Sequence, residues 1–271
     1  IHAPNTMSDG NLTEPRGVSP ASSGPAGPHF EAQVGASYLH AMLTGSEPRG
    51  LPGMVIDRIE LQRASEGRPL DDVIVHAHDA SGTGAVLEIQ VKREVAFSPG
   101  DEVFRDVVQQ IAAAARLPAF WTTRYELAVA TAKTSARIAG PYQDVLTSAR
   151  QLGSATTFME RINRPGSAND NMRTFVGTFR MRLQEAGAPH DDETVWGLLR
   201  RFQILVYDFT ARGSADESRA RDRSALALHS DDAAHAATLW TELVELALRV
   251  AAAGGDRTRA ALLEDFRGRP F

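Results

Sequence analysis

The chain has 271 residues, a net charge of −5 and no cysteine, which excludes disulfides, thiolate metal sites and a uniformly basic nucleic-acid binder. With 42% hydrophobic and 23% charged residues it can bury a sizeable core, and no apolar run reaches the ~18 residues of a membrane span. A cytoplasmic protein with no membrane partner is expected. Its 29 basic residues are 27 arginines and two lysines, Lys92 and Lys133, so each lysine marks a place where arginine was not used.

Residues 1–28, rich in Ser, Pro and Gly, read as a disordered tail, with Met7 a natural start and Ile1–Thr6 leftover expression sequence. Phe30, Val34, Tyr38, Leu39 and Met42 then recur at helical spacing, with Gly45 as the stop and Glu31 in the first turn, where a carboxylate suits the helix dipole. Met54–Leu61 fits either a strand or a short helix. Val73–His78 is β-branched, Asp79–Gly84 supplies turn residues, and Ala85–Arg93 alternates, which together predict a hairpin. Asp101 caps a helix carrying Val103, Phe104, Val107, Val108 and Ile111 on one face, and Tyr125–Ala132 is another strand. This order predicts an α/β fold with a mixed sheet over 29–135.

From 136 to 271 the pattern is mostly helical, a C-terminal extension. Helices are expected at Ser135–Gln151, Ser154–Ile162, Asn169–Ala186, Glu193–Phe202, Ala233–Ala253 and Arg257–Phe266. Gln203–Phe209 reads as a strand, and Ser214–Arg223 as a charged, Arg-rich segment. The end at Phe271 carries no natural stop signal and suggests a longer protein.

Chemistry concentrates on Leu87–Arg93. Strand alternation puts Glu88, Gln90 and Lys92 on one face and Leu87, Ile89 and Val91 on the other. A lysine is a compact charge that can serve a site where the broad guanidinium fork cannot. Asp72, heading the partner strand, and the Gln90 carbonyl offer hard oxygens for a divalent cation, with Glu31 as a third. Lys92 would orient water or stabilise charge on a phosphate. Glu88 is a further ligand or a rim charge.

Leu70-Asp71-Asp72-Val73-Ile74-Val75 followed by Leu87-Glu88-Ile89-Gln90-Val91-Lys92-Arg93 resembles the PD-(D/E)xK, or restriction-endonuclease-like, superfamily. It is similar to the N-terminal endonuclease domains of bacterial anti-phage defence proteins, both cyclic-oligonucleotide effectors and STAND ATPases. The resemblance covers roughly 29–135. It implies a Mg²⁺-dependent (or Mn²⁺-dependent) endonuclease acting on double-stranded DNA, a homo-oligomer, and C-terminal ATPase or sensor regions in the full-length protein. Asp72, Gln90, Lys92 and Glu31 would be catalytic, the first two and Glu31 as metal ligands. Asp72 rather than Asp71 is chosen because it directly precedes the apolar run. Gln90 replaces the acid of the usual motif, which leaves one charge fewer for the metal.

Arg93, Lys133 and Arg105 are candidate phosphate contacts. His76 and His78 share a strand face at a metal-ligand spacing, but with no third ligand nearby a hydrogen-bonded pair is expected. Two competing readings remain. One is a nuclease-like fold without catalysis, acting as a nucleic-acid-binding or oligomerisation module. The other is a helical scaffold that assembles through Leu239, Trp240 and Leu243.

Overall fold

The hairpin forms as the alternation predicts, and a six-stranded sheet grows around it. The computed structural model describes residues 26–63, 67–209 and 211–269; most of the expected tail lies outside that range. Strands β1 (Val55–Leu61), β2 (Val73–His78), β3 (Gly84–Val91), β4 (Arg124–Thr131), β5 (Phe202–Val206) and β6 (Asp256–Thr258) lie in the order β5-β4-β3-β2-β1-β6. The β1–β2, β2–β3 and β1–β6 pairs are antiparallel, whereas β3–β4 and β4–β5 are parallel. Parallel neighbours need a crossover, and helix α2 (Glu102–Ala114) carries the chain from β3 to β4. The chain is thus an α/β protein, a mixed sheet with helices on both faces.

Four helices bridge β4 to β5: α3 (Gln143–Gln151), α4 (Ala155–Asn163), α5 (Asp170–Glu185) and α6 (Asp192–Leu199). With α2 they cover the β3–β5 half of one sheet face, around Phe104, Phe158, Phe175 and Phe179. The opposite face holds a second core, in which α1 (Ala26–Thr44) and α8 (Ala236–Ala252) pack Tyr38, Leu39, Met42, Leu243 and Ala247 against Leu87 and Ile89. Gly35 lets α1 approach closely, since a Cβ there would stand 3.3 Å from Leu61. Helices α7 (Ala215–Ala227) and α9 (Arg259–Asp265) complete the described α-helices, and a 3-10 turn, Ser230–His235, leads into α8.

Several expectations shift. The undecided Met54–Leu61 stretch is a strand because both neighbours pair with it. The expected Ser135–Gln151 helix begins instead with a π-helical turn, Ile138–Tyr142, around Pro141, which has no N–H to give the preceding turn. Glu193–Phe202 stops being helical at Leu199, and Phe202 joins β5, where the sheet claims its backbone groups. Arg257 and Thr258, expected to open the last helix, pair with β1 together with Asp256. Helix α1 starts at Ala26, so Glu31 stands beyond its first turn and the dipole explanation for it falls. Leu239, Trp240 and Leu243 are buried against α1, which makes them core rather than an assembly surface.

Candidate functional site

Register decides what meets at the end of the hairpin. Because Val73 pairs with Ile89 and Leu61 with Val73, one step further along brings Gln62, Asp72 and Gln90 side by side across three strands. Gln62 N donates to Asp72 O at 3.2 Å, which continues the β1–β2 ladder. The three side chains share the face that carries Glu88 and Lys92, as alternation requires.

Asp72 is buried, and its carboxylate is enclosed by amide donors. Oδ1 accepts from Gln62 Nε2 at 3.0 Å; Oδ2 accepts from Gln90 Nε2 and, at 2.7 Å, from Val91 N. Gln62 Nε2 also donates to Glu31 Oε2 at 3.2 Å, so one amide joins both carboxylates. Burial pushes the Asp72 carboxyl up to about 7; Lys92 pulls against that, and the negative charges of Glu31 and Asp71 add to it. Burial also raises Glu31, again with Lys92 opposing and Asp71 reinforcing. The ammonium of Lys92, a half-buried residue, makes no hydrogen bond or ion pair among the described residues; it acts on both carboxylates through its charge alone. Beside Asp72, Gln90 Oε1 is buried without a partner. The Glu31–Gln62–Asp72 edge opens on a cavity of about 280 Å³ between α1 and α8.

The expected residues Glu31, Asp72, Gln90 and Lys92 therefore lie together. Asp71 contributes charge nearby, while its carbonyl accepts from Arg63 N at 3.1 Å. Glu88 has another task. It is fully buried, accepts from the Tyr125 hydroxyl, from Arg68 Nη1 at 3.3 Å and from Leu70 N at 3.4 Å, and so ties the segment before β2 to the sheet. Lys133 pairs with Glu94 at 2.6 Å, and Arg105 with Glu102 at 3.4 Å and Asp106 at 3.5 Å, so neither is a free cation. Arg93 is exposed at the end of β3. His76 and His78 are each bonded to a carboxylate, Glu60 at 2.6 Å and Asp57 at 2.7 Å.

Gln62 escaped the sequence reading. It follows a strand of undecided type, and glutamine at a strand end signals nothing until the register is known. Its φ of 54°, in the left-handed region that disfavours side chains, is the structural mark of a constrained position.

The donor set is oxygen-rich but holds only two carboxylates. Glu31, Asp72 and the partnerless Gln90 Oε1 are hard oxygens, and two carboxyls pushed up by burial are groups a cation would draw back down. Among the described residues no three His, Cys, Asp or Glu side chains could share a metal.

No family model and no curated protein matches this sequence. Three solved chains match, all of the Acinetobacter baumannii Cap4 SAVED/CARF-domain containing receptor. The one with the cyclic trinucleotide 3'3'3'-cAAA is 11% identical, at a TM-score of 0.47, over 92% of this chain and 47% of that one. The receptor without ligand gives 11% and 0.47, and the 2'3'3'-cAAA complex 12% and 0.46. This chain thus spans about half the length of those it matches. At that level of likeness the ligands named there stay with that protein.

These matches correct the PD-(D/E)xK resemblance. The solved chains are described as receptors, none as a nuclease of that superfamily, and no family model supports the kinship. The endonuclease reading built on it is withdrawn. The physical reason is that an Asp followed by Gln-x-Lys is a short signal with a structural explanation here: Asp72 is the acceptor that Gln62, Gln90 and Val91 need. No helix among the described residues is long and apolar enough to cross a membrane.

Proposed function

We propose that this chain is a binding module for nucleic acid, holding a backbone phosphate at the Gln62–Asp72–Gln90–Lys92 end of the hairpin with a divalent cation, Mg²⁺ or Mn²⁺, between phosphate and protein. The observation that carries this is the pairing of an unpartnered ammonium with a buried, partnerless amide oxygen beside two carboxylates. Lys92 can approach a phosphate oxygen as a point charge, and it has no carboxylate partner to leave first. When bound, the cation would neutralise Glu31 and Asp72 and turn an acidic pocket into one that accepts an anion. Gln62 and Gln90 hold Asp72 in place. Arg93, exposed one residue beyond Lys92, extends the positive end of β3 along a phosphate backbone.

The experiment is a fluorescence-anisotropy titration of short duplex DNA, with Mg²⁺ and with EDTA, for the wild type, Asp72→Asn and Lys92→Ala. Binding that needs Mg²⁺ and drops about tenfold or more in both variants supports the reading. Binding indifferent to Mg²⁺ and to both substitutions overturns it. So does Mg²⁺-dependent strand scission that Asp72→Asn abolishes, because a module that only binds leaves the DNA intact.

A further inference from the structure

A second cavity, of about 700 Å³, opens around the C-terminal half of α1. His40 on α1 lies nine residues after Glu31, about 13 Å along the helix axis. The cavity is closed by the loop after α1, the segment following β5, and helices α7 and α8. It belongs neither to the hairpin site nor to any residue of that site.

One wall is aromatic. Tyr207 stacks on Phe209 at 5.6 Å between centroids, and Phe209 on Trp240 at 5.7 Å. Tyr207 donates to the Tyr38 hydroxyl at 3.1 Å, and Tyr38 in turn donates to Arg49 O at 2.9 Å, which fixes that wall. The rim is cationic. Arg49 lies 4.5 Å above the Tyr207 ring, Arg219 bonds Asp216 at 2.8 Å, and the Arg223 guanidinium makes no ion pair or hydrogen bond among the described residues. Of the two carboxylates lining the cavity, Asp216 is occupied by Arg219 and by Asp208 N at 2.6 Å, while Glu47 stands exposed.

His40 supplies the independent sign of a ligand. The residue is 3% exposed, lines the cavity, and has a buried Nε2 with no partner. Leaving such a nitrogen unsatisfied is unfavourable, and a hydrogen bond to a ligand would relieve it. Burial, with Arg223 adding to it, pulls this imidazole down to about 4, so near neutral pH it is uncharged and can form a directional bond without itself being a cation.

A cavity within the ~300–1,000 Å³ of small-molecule sites is too large for an inorganic anion alone. An aromatic wall under a guanidinium rim suits a flat ring system joined to a phosphate. We propose that this cavity binds a mononucleotide, with the base against the Tyr207–Phe209–Trp240 wall, the phosphate on Arg223, and His40 Nε2 bonded to a polar group of the ligand.

The test is calorimetric titration of the whole chain, in EDTA, with AMP, GMP, CMP, UMP, the matching nucleosides and inorganic phosphate. At least one nucleotide should bind with a Kd below ~1 mM, and its nucleoside and free phosphate about tenfold or more weakly. Arg223→Glu, at an exposed position, and His40→Phe should each weaken that nucleotide about tenfold or more, with the Tm confirming that both fold. Asp72→Asn should leave it unchanged. The proposal is overturned if none of the four binds below ~1 mM, or if phosphate binds as tightly as the nucleotide. Affinity that survives Arg223→Glu, or that disappears in Asp72→Asn, overturns it as well.

Discussion

Gln62 and Asp72 are bound twice over: the Gln62 amide donates to the Asp72 carboxylate at 3.0 Å, and the Gln62 backbone N–H to the Asp72 carbonyl at 3.2 Å. The same side-chain nitrogen reaches Glu31 on α1 at 3.2 Å. Helix and hairpin are therefore joined through one residue whose backbone sits at φ 54°. Local conformation is strained there so that an amide can stand between two acids.

That arrangement separates two contributions to stability. Gln62→Ala removes the bridging amide and leaves a buried carboxylate short of a donor, at a cost of about 1–3 kcal/mol. Gln62→Gly removes the same amide but relieves a left-handed conformation worth about 1–2 kcal/mol. Urea denaturation should rank wild type above Gln62→Gly and Gln62→Gly above Gln62→Ala. A glycine variant no more stable than the alanine variant would show that φ at this position carries no strain.

Asp72 makes stability depend on pH in an unusual direction. Its folded-state value of about 7 lies above the ordinary 3.8, so between those two the folded chain binds more protons than the unfolded chain. Stability from this group therefore falls as pH rises from about 4 to about 7 and is level beyond. Asp72→Asn, which cannot ionise, should lack this fall in EDTA, so its stability relative to the wild type should rise between pH 4 and pH 7, by several kcal/mol at most. Thermal melts at pH 4 and pH 8 measure the difference. Mg²⁺ should narrow the gap at pH 8, because a bound cation supports the ionised wild-type carboxyl.

Much of this fold was legible from periodicity. The hairpin, α2 with its Asp101 cap, β4 and the alternation of β3 depend on local patterns that tertiary contacts reinforce. What stayed hidden depends on partners distant in sequence. Asp256–Thr258 has no strand character of its own and is extended because β1 offers it an edge. Gln62 joins the site only through register. Glu88 shared the polar face of β3 with Gln90 and Lys92, so alternation could not tell a structural acid from a site residue; Tyr125 and Arg68, which claim it, lie on other segments.

Tyr125 tests that division of roles. Its hydroxyl donates to the fully buried Glu88, and burial followed by the Glu88 bond raises the phenol well above its ordinary value, so it stays a donor at every working pH. Tyr125→Phe should cost about 1–3 kcal/mol through the acceptor left short of a partner. Mg²⁺ affinity at the Asp72 end should not change. A loss of Mg²⁺ affinity without a loss of stability would move Glu88 into the cation site.

His40 gives the opposite pH signature to Asp72. Its folded-state value of about 4 lies below the ordinary 6.5, so between the two it is the unfolded chain that binds more protons. The stability contribution is whole above pH 6.5, is lost as pH falls through that window, and is level below about 4, with a span of about 3 kcal/mol. His40→Gln keeps a polar group in the cavity but cannot titrate, so its unfolding free energy should lose the His40 share of this slope. The Asp72 slope runs the other way over part of the same range, so the comparison is made in an Asp72→Asn background, and the His40 contribution is the change in slope that His40→Gln produces there. If adding His40→Gln to that background left the slope between about pH 4.5 and 6.5 unchanged, the imidazole would not be held neutral by the cavity.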